Sequence, residues 1–200
     1  MHYTPADKDH GLPHDPFKAI VAPRPIGWIS SLDKDGRLNL APYSFFNAIS
    51  DHPHIVMFSS YGEKDSAANI EATGEFVCSL ATWDLREAMN HSSAPYPHGV
   101  SEAEKAGLAM AESRVVKPPR VAAAPTALEC RLLKTDRIAG LDGQWSGNIV
   151  VFGEVVSIYV DDAFIRDGRF DLAAARPIAR CGYRDYAVVT GLFEMVRPEL

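Results

Sequence analysis

Residues 25–47 have the sequence Pro25-Ile-Gly-Trp-Ile-Ser-Ser-Leu-Asp-Lys-Asp-Gly-Arg-Leu-Asn-Leu-Ala-Pro-Tyr-Ser-Phe-Phe-Asn47, and this stretch decides the fold. Two apolar runs flank the segment Asp33-Lys-Asp-Gly36, and an Asp-Gly pair between such runs is a strong indication of a β-hairpin. We therefore predict one strand over Pro25–Ser31, a tight turn at Asp33–Gly36, and a second strand over Leu38–Asn47.

The residues that follow this hairpin predict a strand, a helix and another strand. His54–Ser60 is a strand because it is apolar and ends at the turn-like pair Tyr61-Gly62. Lys64–Gly74 contains helix formers, opens with an aspartate and a serine, and ends at a glycine suited to a helix C-cap. Glu75–Ala81 is predicted to be the next strand.

The rest of the chain continues the same pattern. Further predicted elements are a helix over Asp84–Asn90, a capping box at Ser101–Glu104, a proline-rich loop over 118–125, and strands over Thr126–Leu133 and Asn148–Val160, the last bulged at Gly153. Strands and helices do not alternate regularly, which favours a mostly β, antiparallel barrel of Greek-key type with short inserted helices. We expect one domain over residues 1–200, with residues 1–22 irregular and residues 1–16 forming an N-terminal arm.

Composition narrows the class of function. The chain has 200 residues, 46% of them hydrophobic, and a formal net charge of −6, so nucleic acid and anionic membranes are not expected partners. Its apolar runs are too short to cross a bilayer and its N-terminus is polar, so we expect a cytoplasmic protein. The three cysteines, Cys78, Cys130 and Cys181, form no metal-binding or disulfide pattern, and we expect buried, reduced thiols. The spacing of His2, His10 and His14 matches no helix-face metal motif, so no metal is predicted.

Several common catalytic motifs are missing from the chain: GxGxxG, GxxxxGK[ST], HExxH and GxSxG. What remains is a group of small hydroxyl and amide side chains at the ends of predicted strands and at one helix start. Its members are Ser30, Ser31, Ser44, Asn47, Ser59, Ser60, Lys64, Asp65 and Ser66.

A phosphate group needs several hydrogen-bond donors, and the start of the helix at Lys64 offers free backbone N–H groups, a cation and a favourable dipole. The hydroxyls of Ser30, Ser31 or Ser66 would complete such a site. The same residues have a second interpretation, since Asp65 and Ser66 also suit an ordinary helix N-cap.

Aromatic and histidine side chains extend the candidate site. Trp28, Tyr43, Phe45 and Phe46 are placed to flank a planar heterocycle, although strand aromatics also suit a core, and Asn47 suits either a ring edge or a turn. His91 and His98 lie in a segment stiffened by Pro95, Pro97 and Gly99, where His98 is a candidate proton donor or a solvated loop residue.

Taken together, these segments resemble the flavin reductase-like, FMN-binding split-barrel family, in the branch that includes flavoredoxin-like proteins. The segments that carry the resemblance are Pro23–Ser31, Asp35-Gly36, Asn39, Ala41–Asn47, Lys64-Asp65-Ser66, Asn69, Gly74–Val77, Met89-Asn90, Glu112–Arg120, Ala127–Cys130 and Gly153–Val155. The similarity covers roughly residues 17–186.

The resemblance implies noncovalent FMN, with its phosphate near Ser30, Ser31, Lys64 and Ser66, and with its isoalloxazine edge against Tyr43–Asn47 and Ser59-Ser60. It also implies a homodimer with the flavin near the interface, to which residues 91–99 are the candidate contribution from the second chain. The family tail often reads Arg-Leu-Gly-Gly-x-x-Tyr, whereas this chain has Tyr183 in place of the second glycine. Tyr183 would cover the flavin or narrow the access of a nicotinamide.

The implied activity is that of an oxidoreductase in which FMN takes a hydride from NADH or NADPH and passes electrons to free flavin, an oxygenase or another acceptor. Two alternatives remain at this stage. One is a flavoredoxin-like electron carrier that does not oxidise NAD(P)H itself, and the other is a flavin-storage module without turnover.

Overall fold

The computed structural model describes residues 1–198 and confirms a mostly β, antiparallel fold with short helices. The strands are β1 (Arg24–Pro25), β2 (Gly27–Leu32), β3 (Leu38–Tyr43), β4 (Phe46–Asp51), β5 (His54–Tyr61), β6 (Glu75–Leu80), β7 (Met110–Ala111), β8 (Arg120–Val121), β9 (Thr126–Ala139), β10 (Trp145–Val160), β11 (Ile165–Arg166), β12 (Arg169–Phe170), β13 (Ile178–Gly182) and β14 (Asp185–Val188). The helices are α1 (Phe17–Ile20), α2 (Asp65–Thr73), α3 (Arg86–His91), α4 (Glu102–Lys105), a single 3-10 turn (Asp162–Phe164) and α5 (Leu172–Ala175).

Seven strands form the main sheet in the order β3-β2-β6-β9-β10-β5-β4, with every neighbouring pair antiparallel. The sheet curls into a barrel around one core, to which Ile29, Phe58, Phe76 and Val151 contribute from four different strands. The two edge strands, β3 and β4, are consecutive in the chain and are not paired with each other. The barrel is therefore split between them.

The predicted strand over Leu38–Asn47 was wrong in one respect, because the structure divides it at Ser44 and Phe45. Tyr43 is the last residue of β3 and lies opposite Gly27 of β2, while Phe46 begins β4 and lies opposite Phe58 of β5. At the break, the backbone N–H of Ser59 donates to the carbonyl of Phe45 over 2.8 Å. The chain must leave one edge of the barrel and join the other here.

Other predicted elements are confirmed with small shifts of their ends. α2 ends at Gly74, which has the left-handed conformation (φ 77°) expected of a C-cap, and β6 follows directly. The side chain of Ser101 caps α4 by accepting from the backbone N–H of Glu104. β9 runs to Ala139, six residues beyond the predicted end, because it pairs along its length with the long β10.

Gly153 lies at the predicted bulge, where the register of β9 and β10 shifts between Phe152 and Gly153. A Cβ atom at this position would lie 2.5 Å from Cε1 of Phe76 and 3.2 Å from Cβ of Cys130. Only a residue without a side chain lets the Phe76 ring fill the core against this strand.

The N-terminal segment is more ordered than the irregular arm expected over residues 1–22. It contains α1, which packs against β13 of the small sheet β1-β13-β14. The contact depends on Gly182 (φ 98°), where a Cβ atom would lie 2.6 Å from Cα of Ala19. This contact joins the beginning of the chain to its C-terminal part.

The three cysteines are free thiols in the part of the chain that the structure describes. Cys78 and Cys130 are buried as expected, and burial raises the pKa of the Cys78 thiol well above its ordinary value. Cys181 is only partly buried, because it lies on the small outer sheet and not in the barrel. No helix within residues 1–198 has the length and apolar character needed to cross a membrane.

We predict that Gly153→Ala destabilises the fold by about 1–3 kcal/mol, because the added methyl group displaces the ring of Phe76 in a filled core. Urea unfolding at equilibrium measures the change. Gly191→Ala is the matched control, since its Cβ atom meets no other atom within 4 Å. Equal stability of the two variants would contradict the packing argument.

Candidate functional site

A large open cavity of about 1290 Å³ lies at the split of the barrel. One wall comes from the end of β3, the Ser44-Phe45 connection and β5, together with the start of α2. A second part of the wall comes from α1 and the small sheet, with Arg24, Arg180 and Tyr183. The segment after α3 forms the rim. The cavity is thus bounded by parts of the chain far apart in sequence.

Eight of the fourteen predicted site residues line this cavity. They are Tyr43, Ser44, Phe45, Ser59, Lys64, Asp65, Ser66 and His98. The sequence indicated them as polar or aromatic residues near strand ends, as the start of α2 or, for His98, as part of a stiff loop, and the structure brings these places together.

The other six predicted residues do not reach the cavity wall. Trp28 is fully buried in a second core outside the barrel, and its Nε1 donates to Oγ of Ser92 over 2.9 Å. Ser30 and Ser31 are also fully buried: Ser30 donates to the carbonyl of Pro119, and Ser31 accepts from Nδ2 of Asn69. These two hydroxyls are therefore not available to a phosphate in the cavity.

Phe46, Asn47 and Ser60 likewise lie off the cavity wall. Phe46 packs where a side chain at Gly27 would otherwise stand, and the side-chain oxygen of Asn47 accepts from the backbone of Ala48 over 2.9 Å. Asn47 lies within β4, paired with Met57, so the turn role that the sequence left open was wrong. Ser60 is fully buried on β5, behind the cavity wall.

Two buried hydroxyls in this region lack a hydrogen-bond partner within residues 1–198, those of Tyr43 and Ser60. Tyr43 is 7% exposed and lines the cavity. Burial raises the pKa of the Tyr43 hydroxyl, an effect that the neighbouring hydroxyls of Ser66 and Ser60 partly offset. The phenol is thus a protonated donor at neutral pH, placed where a bound polar group would satisfy it.

The start of α2 faces the cavity with its backbone N–H groups and one cation. Lys64 is the N-cap residue, and no side chain caps the helix. Ser66 accepts a hydrogen bond from Nδ2 of Asn39 over 2.7 Å, so the alternative in which Asp65 and Ser66 form an N-cap pair was wrong. This arrangement suits an anion.

The segment after α3 closes over the cavity of its own chain, since Ser92, Tyr96 and His98 all line it. Nδ1 of His98 lies 3.1 Å from Oδ1 of Asp65, so the rim is tied to the start of α2. The role of His98 as a proton donor, and the contribution of residues 91–99 to a partner's site, stay predictions.

Charged residues of the second part of the wall were missed by the sequence reasoning. Lys18, Arg24 and Arg180 line the cavity together with Lys64, and within residues 1–198 none of the four has a carboxylate within salt-bridge distance. Arg24 belonged to a segment quoted for the family resemblance, but nothing local shows that it faces Arg180 across β1 and β13.

The three carboxylates that line the cavity are each engaged by another group. Asp15 accepts from the backbone N–H of Phe17, Asp65 contacts His98, and Glu102 accepts from the backbone N–H of Leu40 over 3.0 Å. Four cations against three carboxylates give the cavity a small positive excess in a chain whose net charge is −6. Such a site attracts anions.

Metal ligands were not predicted, yet Asp51, His52 and His54 place three ligand atoms within 4.8 Å of one another at the β4–β5 turn. All three side chains are exposed. The cluster does not line the cavity.

The sequence matches the model of the flavin reductase like domain over residues 21–171. An uncharacterized protein of Aquifex aeolicus is 36% identical over 178 residues, which cover 86% of this chain and 87% of that protein. The chain belongs to the flavin reductase-like family, whose members are flavin-dependent oxidoreductases with a split-barrel fold.

Solved structures agree with this assignment. Nitrilotriacetate monooxygenase component B from Bacillus cereus is 30% identical with a TM-score of 0.86, and 98% of each chain is covered. The 2-nitrobenzoate 2-nitroreductase of Pseudomonas fluorescens is 27% identical, also with a TM-score of 0.86, over 99% of this chain and 96% of that one. Flavoredoxin of Desulfovibrio vulgaris (TM-score 0.76, 20% identity, 88% and 91% covered) shares the fold.

The residues of the cavity fit a flavin mononucleotide. Its phosphate requires cations and N–H donors, which Lys64 and the start of α2 supply. Its ring carries polar atoms at one edge, which suit the unpartnered hydroxyl of Tyr43 and the side chain of Ser44 on the cavity wall.

We predict that the free energy of unfolding of Glu102→Gln, relative to that of the wild type, increases as the pH rises from about 4 to about 7. Burial raises the pKa of Glu102 in the folded state, so its contribution to stability is present at low pH and is lost as the pH rises through that pKa. Glutamine keeps an acceptor for the N–H of Leu40 and does not titrate.

Urea unfolding of the wild type and the Glu102→Gln variant across this pH range measures the effect. Glu104→Gln is the control, because Glu104 is exposed on the same helix. A stability difference for Glu102→Gln that is constant with pH would contradict the prediction.

Proposed function

We propose that this protein is an FMN-dependent oxidoreductase that uses NADH or NADPH as its electron donor. Bound FMN would accept a hydride from the nicotinamide, together with a proton from solvent, and would hand both electrons to an acceptor. The observation that carries the proposal is the combination of an unpartnered, buried Tyr43 hydroxyl and a cationic helix start in one cavity.

In this proposal the residues of the chain bind and orient the cofactor and do no covalent chemistry. Lys64 and the N–H groups of α2 hold the phosphate, and Ser66, kept in place by Asn39, lies beside them. Tyr43 donates to the flavin ring, and the contact of His98 with Asp65 holds the rim over the cofactor. The open side of the cavity leaves one face accessible to a second molecule.

Two relatives support transfer of electrons out of this cavity, each in a different way. The Bacillus cereus protein is one component of a monooxygenase, which favours an oxygenase as the acceptor, while the Pseudomonas fluorescens protein is a nitroreductase of a small molecule. A free flavin is a third acceptor of the same kind. An electron carrier that takes its electrons from a protein donor is the alternative, and it shares the fold with flavoredoxin.

A homodimer is part of the proposal. Several apolar side chains on the long β9–β10 hairpin and at the end of β5 are exposed, namely Leu133, Ile138, Trp145, Ile158 and Tyr61. Exposed apolar surface marks contacts with other chains, and we infer that a second copy covers part of this hairpin. Tyr61 also lines the cavity, so this surface reaches the flavin site.

We expect the purified protein to bind FMN and to show its visible absorption band, which NADH or NADPH bleaches under anaerobic conditions. Absorption spectroscopy before and after addition of the nicotinamide measures both steps. A band that persists with NAD(P)H but is bleached by a protein reductase supports the electron carrier. A colourless protein that takes up no added FMN overturns the proposed function.

Lys64→Met should weaken FMN binding by roughly tenfold or more, because the phosphate loses its charge-assisted partner at the start of α2. Quenching of FMN fluorescence during titration of the apoprotein measures the affinity. Lys105→Met is the matched control, since Lys105 is exposed on α4 and does not line the cavity. Unchanged affinity in Lys64→Met would place the phosphate elsewhere.

A further inference from the structure

The side of the cavity formed by α1 and the small sheet carries cations that phosphate binding at Lys64 does not use. Arg24 and Arg180 face each other directly across the antiparallel pair β1 and β13, and Lys18 of α1 lies on the same wall. Three cations without a carboxylate partner in the described chain thus line the cavity in addition to Lys64. Unpaired cations on one cavity wall favour the binding of an anion.

The protein holds both arginines in place, and Arg24 keeps one buried donor without a partner. Arg24 is 8% exposed and donates through Nη1 to the carbonyls of Lys18 and Val21, while its Nε has no partner within residues 1–198. Arg180 donates to the carbonyl of Tyr183 through Nη2. Buried guanidinium donors without a partner are costly, so an acceptor from a ligand would stabilise this arrangement.

Aromatic rings surround these cations. The guanidinium of Arg180 lies 4.6 Å from the ring centre of Tyr186, and that of Arg24 lies 5.6 Å from the ring centre of Phe45. The rings of Tyr183 and His14 have their centres 5.8 Å apart at the cavity rim. An aromatic ligand can therefore pack against the faces or the edges of these rings.

Tyr183 adopts an unusual backbone conformation at this rim. Its φ of 43° lies in the left-handed region, which costs a residue with a side chain free energy and which a glycine would adopt without strain. Tyrosine thus occupies a position suited to glycine, with its side chain on the cavity. The ring of Tyr183 therefore narrows the part of the cavity that Arg24 and Arg180 line.

The cavity is also large for one cofactor. Its volume of about 1290 Å³ exceeds the roughly 300–1000 Å³ of ordinary small-molecule sites. There is room for a second ligand beside the flavin.

We propose that the wall formed by Arg24, Arg180 and Tyr183 is a binding site for a small aromatic carboxylate, which occupies the cavity beside the flavin. The inference rests on the proposed function, since it takes FMN to lie against Lys64 and α2. Arg180 binds the carboxylate, Arg24 adds a second cation, and the rings of Tyr183 and Tyr186 contact the aromatic ring.

Isothermal titration of the FMN-loaded protein with benzoate and with benzamide tests the proposal, because the two probes share a shape and differ in charge. We expect benzoate to bind at least tenfold more tightly than benzamide to the wild type. Arg180→Met should remove this preference because it lowers the affinity for benzoate, while the affinity for FMN stays unchanged. Arg169→Met, an exposed arginine of β12 outside the cavity, should leave both probes unaffected.

Tyr183→Gly provides a second variant that folds readily, since glycine suits the left-handed backbone at this position. Tyr183→Gly should lower the affinity for benzoate and for benzamide alike, because both probes lose the same aromatic contact. A Tyr183→Gly protein that binds both probes as tightly as the wild type would remove the aromatic part of the proposal.

Other outcomes overturn the proposal in distinguishable ways. FMN-loaded protein that binds no benzoate contradicts this inference and leaves the proposed function intact. A loss of FMN affinity in Arg180→Met assigns Arg180 to the cofactor, and a change confined to the KM for NADH assigns it to the donor. A protein that takes up no FMN at all overturns the proposed function and this inference together.

Discussion

The two edge strands of the barrel, β3 and β4, are consecutive in the chain and belong to opposite ends of the sheet. The chain must pass from one edge to the other within Ser44 and Phe45, and the bond between Ser59 and Phe45 holds that passage against β5. The barrel therefore cannot close at this point. The opening that results is the cavity, and the strand ends around it supply its polar groups.

Charge is distributed in this molecule so that the cavity differs from the rest of the protein. The chain as a whole is acidic, yet the cavity gathers four cations, Lys18, Arg24, Lys64 and Arg180, against three carboxylates. The negative net charge repels anions from most of the protein surface. The cations of the cavity attract small anions to that one place. This contrast favours small anionic ligands over nucleic acid.

The contact between the two ends of the chain completes the site. Gly182 lets α1 approach β13 closely, and α1 in turn brings Lys18 and the adjoining arm to the cavity. Arg24 ties the same segment down through the carbonyls of Lys18 and Val21. The wall that we propose to bind a second ligand thus depends on packing between residues more than 150 positions apart.

The sequence by itself determined the class of fold, most strand positions, the helix start at Lys64 and the bulge at Gly153, because turns, caps and bulges depend on nearby residues. It also identified eight residues of the cavity by their place near strand ends, at the start of α2 or in the loop that holds His98. Only the tertiary structure decided that Trp28, Ser30 and Ser31 are buried in the protein, and that Arg24 and Arg180 face each other. A strand sequence shows which residues alternate but not which face meets the core and which meets the cavity, since that depends on what packs against each face.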